Sequence, residues 1–357
     1  MTQPFEFGLD TFGDITLGGD GRPLTHAQVI RNVVEEGTLA DAVGVDAFGV
    51  GEHHRPDFSI SAPEIVLAAI AGQTKRIRLG SAVTVLSSDD PIRVFQRFST
   101  LNAASNGRAE VTLGRGSFIE SFPLFGYDLN QYEELFEEKL DLFVTLVRAD
   151  AKGEPVTWQG HLRAPLNNQR IFPPIEDAPL RVWVGVGGSP ESVVRAARYD
   201  FPLALAIIGG NPARFRPFVD LYHRAFAQLG RPGQPIAVHS PGYIADTDDE
   251  AREDYWAGYK AMHDRIGAER GWPPMERASF EQEVTNGALH VGAPETVARK
   301  IVSTAKALGL ARFDLKYSAG TIPHDKLMRC IELYGTKVVP MVREMLGSSL
   351  GTVEGAR

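Results

Sequence analysis

The amino-acid sequence predicts an α/β fold, a (β/α)8 TIM barrel with insertions outside the barrel, and three observations support that fold class. Short apolar segments alternate with longer segments whose apolar residues recur at helical spacing. The apolar segments end in glycine or polar residues, where parallel strands place their chemistry. A chain of 357 residues has the length of one large barrel, so we take residues 1–357 as a single domain.

The predicted strands are short runs rich in apolar residues, and their number is that of a closed barrel. In chain order they cover residues 5–9, 45–51, 77–86, 109–113, 180–186, 203–208, 236–239 and 312–317. A doubly wound sheet with a small second domain is the alternative. We disfavour it because no Gly-x-Gly-x-x-Gly sequence follows the first strand, as a dinucleotide-binding fold requires.

The predicted helices lie between the strands, and several begin with recognisable capping residues. Thr25 and Gln28 form a capping box, whereas Asp90-Pro91 and Ser189-Pro190 combine an N-cap with proline in the first turn. The remaining helices are expected near 62–73, from 130, and over 212–229, 248–266, 294–308 and from 323.

Two segments interrupt this alternation with proline, glycine and polar residues. Residues 149–179 are predicted to form an excursion outside the barrel, between the fourth and fifth strand units. Residues 267–289 are predicted to be irregular and to provide a candidate lid.

Composition limits the classes of partner. The formal charge of −8 comes from 37 basic and 45 acidic residues, with no cluster of Lys and Arg suited to nucleic acid. Cys330 is a single cysteine, so an internal disulfide or a four-cysteine zinc site is excluded. We expect a cytoplasmic protein with no membrane partner, because long apolar stretches and the features of a signal peptide are both missing from the sequence.

Glu52-His53-His54 follows the second strand and is the richest candidate for catalysis. Successive side chains of an extended strand end point to opposite faces, so one imidazole is expected to point into the pocket. His53 and His54 are therefore both candidate catalytic residues, able to act as acid or base near neutrality. The alternative is a histidine that is hydrogen-bonded within the barrel rim.

Two neighbouring strand ends predict an anion site. After the fourth strand, Arg115 stands between glycines and offers a forked cation to a phosphate or carboxylate. After the fifth, Gly187-Gly188-Ser189-Pro190-Glu191-Ser192 places glycines and hydroxyls at the N-terminus of a helix, where free N–H groups favour anions. Taken alone, an arginine such as Arg115 is more often a turn residue with a solvated charge, and Ser189 could simply cap the helix. Because the two motifs follow neighbouring strands, we favour a phosphate site.

A metal-dependent hydrolase is the competing chemistry, with Glu52, His53 and His239 as imaginable ligands. We disfavour it and expect no metal, because the first strand ends in Asp10-Thr11-Phe12 without a histidine pair. Adjacent histidines also diverge too far to ligate one ion.

Taken together, these motifs resemble the luciferase-like flavin-dependent monooxygenases, the family that includes bacterial luciferase. The resemblance covers most of the chain and keeps the order of five motifs: Glu52-His53-His54, Gly80-Ser81-Ala82-Val83, Gly114-Arg115-Gly116, Phe125-Gly126-Tyr127-Asp128-Leu129-Asn130 and the segment 187–192. It implies an FMN-dependent monooxygenase that uses reduced flavin and O2 on a small organic substrate.

The resemblance also implies roles for individual residues. Its cofactor-binding positions are Ala82, Val83 and Thr84 against the flavin ring and Arg115, Gly187, Gly188, Ser189 and Ser192 around the phosphate. A cis peptide is implied at Ala82–Val83. His53 matches the catalytic histidine of the family, and His54 matches its neighbour.

Partners are implied in the same way. Relatives often form homodimers through the helices near 62–73 and 91–105, and a separate reductase would supply the reduced flavin. A deazaflavin (F420)-dependent dehydrogenase and a non-catalytic flavin-binding protein are the alternatives.

Overall fold

Parallel strands close into an eight-stranded barrel, which confirms the predicted fold class. The computed structural model describes residues 4–351. Its strands are β1 (Glu6–Thr11), β2 (Ala47–Val50), β3 (Arg78–Ser81), β4 (Thr84–Val85), β5 (Ala109–Gly114), β6 (Val156–Trp158), β7 (Leu166–Gln169), β8 (Arg181–Val186), β9 (Leu203–Ala206), β10 (Ile236–Ile244), β11 (His290–Gly292) and β12 (Arg312–Lys316). The barrel runs β1-β2-β3-β5-β8-β9-β10-β12 and returns to β1.

Helices surround this barrel. They are α1 (His26–Ala42), α2 (Pro63–Ala71), α3 (Pro91–Ala104), α4 (Ser121–Phe125), α5 (Tyr132–Lys152), α6 (Pro190–Tyr199), α7 (Arg216–Gln228), α8 (Asp248–Arg270), α9 (Arg277–Asn286), α10 (Pro294–Leu308), α11 (His324–Leu333) and α12 (Val339–Gly351). The Thr25 and Asp90 side chains cap α1 and α3 as predicted. Within residues 4–351, no helix combines the length and hydropathy needed to cross a membrane.

Buried acidic and basic side chains cluster inside the barrel near the N-terminal ends of its strands. Arg312 on β12 donates to Glu110 on β5, and because these strands are not neighbours, the pair crosses the interior. Arg312 also donates to Asp314 at 2.6 Å. Gly8 makes room for the cluster, since a Cβ there would lie 1.7 Å from Asp314 Oδ1. The cluster occupies this end of the barrel and leaves the carboxyl ends of the strands for a ligand.

Three segments differ from the sequence-based expectation or refine it. A cis peptide between Ala82 and Val83 divides the third predicted strand, 77–86, into β3 and β4. The predicted irregular segment 267–289 is wrong as a description of structure, because α8 continues to Arg270 and α9 occupies most of the remainder. Residues 149–179 contain the end of α5 and the hairpin β6–β7, a sheet separate from the barrel.

Candidate active site

His53 lies in a box of aromatic rings at the carboxyl end of β2. Its ring centroid is 4.5 Å from that of Phe12, 4.5 Å from Phe58 and 5.3 Å from Phe118. Burial, assisted by the charge of Lys316, lowers the pKa of His53 to about 3. The imidazole is therefore neutral over the physiological range.

His54 points away from this box, as the alternation of an extended segment predicts. Its Nε2 lies 3.0 Å from Glu52 Oε1, and its ring contacts Phe125 edge-on at 5.1 Å. Glu52 Oε2 accepts the backbone N–H of Val85 at 2.8 Å. The pair therefore ties the end of β2 to β4, and of the two histidines it is His53 that meets the barrel mouth.

Polar groups of three other strand ends meet beneath Phe12. His239 Nδ1 lies 2.6 Å from Asp10 Oδ2, and the His239 ring stacks on Phe12 at 5.9 Å. Lys316 Nζ lies 4.7 Å from the centroid of the Phe12 ring and 2.8 Å from Asp14 Oδ2. Although burial opposes ionisation, the Lys316 ammonium holds the pKa of Asp14 below its ordinary value. The floor of the mouth is thus a set of paired polar side chains against an aromatic ring.

The alternative metal ligands, Glu52, His53 and His239, do not converge on one point. Glu52 is engaged with His54 and Val85, whereas His239 is engaged with Asp10. Across the described part of the chain, no three acidic, histidine or cysteine side chains form a group that could hold a metal ion.

The cis peptide at Ala82–Val83, implied by the resemblance, is present. Glycines on two strands accommodate Val83, because a Cβ at Gly114 would lie 2.5 Å from Val83 Cγ2 and a Cβ at Gly185 would lie 3.1 Å from Val83 Cγ1. Thr84 Oγ1 donates to Ser81 Oγ at 2.8 Å. Val83 is therefore packed against glycines of β5 and β8, immediately after β3.

The loop after β8 has the open backbone that a phosphate needs. A Cβ at Gly187 would meet nothing within 4 Å, and at Gly188, where φ is +120°, the nearest atoms are 3.9 Å away. Ser189 caps α6 by accepting the backbone N–H of Ser192 at 3.4 Å, and its hydroxyl donates to Glu191 Oε2 at 2.8 Å. The open glycines before α6 and the positive end of its helix dipole suit an anion.

Arg115 reaches this loop through a charged bridge. Its guanidinium pairs with Glu133 on the first turn of α5, and Glu133 also contacts Arg195 on α6 at 3.3 Å. Arg195 Nη1 in turn donates to Ser192 Oγ at 3.2 Å. The structure thus brings the predicted residues Arg115, Ser189 and Ser192 into one neighbourhood.

Sequence reasoning gave no functional role to Glu133 or to Arg195. Arg195 lies three residues after Ser192, on the same face of α6, and this spacing is the signal that could have identified it. Glu133 gives no comparable signal, because an acidic residue in the first turn of a helix is common.

The last turns of α8 lie over the barrel mouth. Arg265 Nη2 is 3.0 Å from Asp57 Oδ2, on the loop that carries His53. Arg270 Nη2 donates to the carbonyl of Ser117 at 2.6 Å, and its guanidinium lies 4.9 Å above the Phe118 ring. This end of α8 therefore touches the loops that follow both β2 and β5.

The arrangement fits a phosphorylated planar cofactor. Open glycines and two arginines surround the position expected for a phosphate. Gly114 and Gly185 make room for the Val83 side chain, which a Cβ at either position would press against. The fit rests on the two arginines and on the open space at Gly187 and Gly188.

Two sequence comparisons bear on the family to which this chain is similar. A family model described as luciferase-like monooxygenase matches residues 11–312. N-acetyl-S-alkylcysteine monooxygenase of Bacillus subtilis is 30% identical over 246 residues, which are 67% of this chain and 69% of the relative.

Solved structures share the fold. The oxygenating constituent of 3,6-diketocamphane monooxygenase from the CAM plasmid of Pseudomonas putida, a type II Baeyer-Villiger monooxygenase in complex with FMN, has a TM-score of 0.76 at 21% identity and covers 95% of this chain and 98% of that one. An F420-dependent secondary alcohol dehydrogenase with an F420-acetone adduct has a TM-score of 0.74 at 16% identity, with coverage of 95% and 99%.

Proposed function

This chain belongs to the luciferase-like monooxygenase family, and from that premise we propose that it is an FMN-dependent monooxygenase acting with O2 on a small organic substrate. The observation that carries the proposal is the cluster of Arg115, Glu133, Arg195 and Ser192 beside an open glycine loop. Its donors suit the terminal phosphate of FMN. His53 lies on the same end of the barrel.

Each predicted cofactor residue takes a role in this proposal. Arg115, Ser189 and Ser192 bind the phosphate, and the backbone at Gly187 and Gly188 permits its close approach. Ala82, Val83 and Thr84 form the wall against the flavin ring. Reduced flavin, when bound, supplies the electrons with which O2 is activated.

His53 acts as a neutral hydrogen-bonding group. A neutral imidazole has one donor and one acceptor nitrogen, so it can orient a polar atom without carrying charge. The aromatic box of Phe12, Phe58 and Phe118 fixes the ring and keeps water from it. His54, held by Glu52, positions the loop on which His53 stands.

The segment 267–289, with the end of α8, serves as the lid. Arg270 links it to the loop after β5, and Trp272 stands beside Arg270 with 5.4 Å between guanidinium and ring. A cover of this kind excludes water from a site where an oxidant is generated.

Partners follow from the same assignment. A separate reductase supplies reduced flavin, and two chains pair as a homodimer through α2 and α3, where Ile65 is 68% exposed on α2. We place the protein in the cytoplasm, where reduced flavin is produced, with no nucleic acid among its partners.

A deazaflavin (F420)-dependent oxidoreductase is the second candidate, and the shared fold of the F420-dependent dehydrogenase supports it. That reaction transfers hydride and needs no oxygen. A non-catalytic flavin-binding protein is the third candidate, since tight binding alone would satisfy the same geometry.

Product formation and oxygen consumption, measured together, distinguish the three. Purified protein is supplied with reduced FMN from a reductase, or with reduced F420, and with a panel of carbonyl compounds and thioethers. We expect substrate-dependent product formation with FMN, accompanied by oxygen uptake. Product without oxygen uptake, with F420, would establish the second candidate, and tight flavin binding without any product would favour the third.

A further inference from the structure

Glu133 holds the two arginines of the proposed phosphate site at once. Its carboxylate contacts the guanidinium of Arg115, on the loop after β5, and that of Arg195, on α6. These two elements come from neighbouring barrel strands, and the open loop at Gly187 and Gly188 lies at the start of α6. The carboxylate therefore lies between the cations that a phosphate would approach.

The three side chains differ in solvent exposure, and the difference would allow an anion to replace the Glu133 carboxylate. The Glu133 side chain is 57% exposed, compared with 24% for Arg115 and 10% for Arg195. Glu133 can therefore rotate into water, while the arginines stay at the site. It also lies in the first turn of α5, where the positive end of the helix continues to stabilise its charge.

Arg195 remains anchored when Glu133 leaves. Its Nε lies 2.5 Å from Glu137 Oε2, one turn further along α5, and its guanidinium lies 5.3 Å from the Phe136 ring. Arg195 Nη1 points to Ser192 Oγ, which is itself one of the predicted phosphate donors. The Arg195 guanidinium is thus held in its orientation by a second carboxylate, that of Glu137.

We propose that Arg195 is a second phosphate-binding arginine and that Glu133 is the resident counter-ion that the phosphate monoester of the cofactor displaces. The inference rests on the proposed function, whose cofactor provides the phosphate. A dianion satisfies both guanidinium groups more fully than one carboxylate does. Displacing Glu133 lowers the net affinity, which suits a flavin that must pass from one protein to another.

The test compares FMN with riboflavin, which has the same ring and no phosphate, by quenching of flavin fluorescence. We expect Glu133→Gln to tighten FMN about 2- to 5-fold, as expected for losing one competing exposed ion pair. We expect Arg195→Met to weaken FMN about 10- to 100-fold, as for a charge-assisted hydrogen bond. Riboflavin affinity should change less than twofold in both.

Glu134→Gln is the matched control, because Glu134 is also an acidic residue of the first turn of α5. It should leave both affinities unchanged. If Glu133→Gln weakened FMN or left it unchanged, or if riboflavin changed as much as FMN, the inference would be overturned.

Inorganic phosphate separates this inference from the proposed function, with thermal stabilisation of the protein as the readout. Phosphate should stabilise the wild type, and Glu133→Gln more strongly. If FMN does not bind the wild type but phosphate behaves this way, the proposed function fails and the inference stands. If FMN binds and neither variant changes its affinity, the inference fails and the proposed function stands.

Discussion

Glu269, in the last turn of α8, forms a two-pronged ion pair with Arg55, which follows His54 in the chain; the oxygen-to-nitrogen distances are 2.6 and 2.8 Å. The Arg55 guanidinium also lies 4.5 Å from the Phe118 ring, on the loop after β5. Arg55 therefore connects three parts of the site: the loop that carries His53, the end of α8 and the aromatic box around His53. We regard this contact as the latch of the proposed lid.

Glu269→Gln should loosen the latch. The carboxylate is partly exposed, so its loss removes an ion pair of modest strength and raises local opening by about 2- to 5-fold. Hydrogen–deuterium exchange of peptides that cover 53–60 and 265–272 measures this opening. Both should exchange faster, while peptides of the barrel strands should not.

Glu276→Gln is the control for the latch, because Glu276 is an exposed glutamate shortly after α8. It should leave exchange unchanged. Equal protection in the Glu269→Gln protein and the wild type would show that the ion pair does not hold α8 in place.

His53→Ala should lower turnover about 100-fold while the dissociation constant for FMN changes less than threefold. The reason is that the ring faces the barrel mouth but lies apart from the phosphate cluster. Steady-state product formation and FMN fluorescence give the two quantities. His54→Ala should have the smaller effect on turnover; the opposite ranking would make His54 the catalytic residue.

Arg115→Ala should weaken FMN about 10- to 100-fold and riboflavin less than twofold, because only FMN offers a phosphate to the guanidinium. Fluorescence titration of both flavins measures the difference. Arg170→Ala, at an exposed arginine directly after β7, is the control and should change neither affinity. Equal weakening of the two flavins would place Arg115 away from the phosphate.

The free energy of unfolding should fall as the pH is lowered below about 6.5, in part because of His290. Burial lowers the pKa of His290 to about 3 in the folded protein, whereas an unfolded histidine titrates near 6.5. The unfolded chain therefore binds more protons between these values, and acid favours it. By pH 5 this histidine should account for roughly 2 kcal/mol of lost stability.

His290→Gln should reduce the slope of unfolding free energy against pH by about one proton between pH 6.5 and 5, as measured by urea denaturation. His324 gives a control of opposite sign. Burial opposes protonation of His324, but the hydrogen bond to Glu36 outweighs it, and the pKa of His324 is raised above its ordinary value. Since the stability contributed by a raised pKa is complete below about pH 6.5 and is lost at higher pH, His324→Gln should change the slope above pH 6.5 and leave the slope between 6.5 and 5 little changed. An unchanged slope between pH 6.5 and 5 in the His290→Gln protein would contradict the assignment.

Sequence patterns predicted the barrel well, because each strand is a local run of apolar residues and each helix has its own periodicity. The segment 277–286 was misread for a physical reason. Only Phe280 and Val284 of α9 are buried, so its apolar pattern is too weak to distinguish a helix from a loop after Pro273 and Pro274. The cis peptide at Ala82–Val83 was expected only from the family resemblance, because the conformational propensities of alanine and valine give no sign of it.

The candidate site was predicted in part. Alternation along an extended segment separated His53 from His54 correctly. The low pKa of His53 could not be predicted, because it depends on burial and on Lys316, which is more than 250 residues away in sequence. The bridge from Arg115 through Glu133 to Arg195 likewise joins three elements, and it exists only once the barrel is closed.

The central claim is that the carboxyl ends of the barrel strands bind FMN through its phosphate. Titration of FMN fluorescence with the wild-type protein, run beside riboflavin and F420, tests it most directly. We expect saturable quenching with one FMN per chain and weaker binding of riboflavin and F420. The absence of saturable FMN quenching, or tighter binding of F420, would contradict the account.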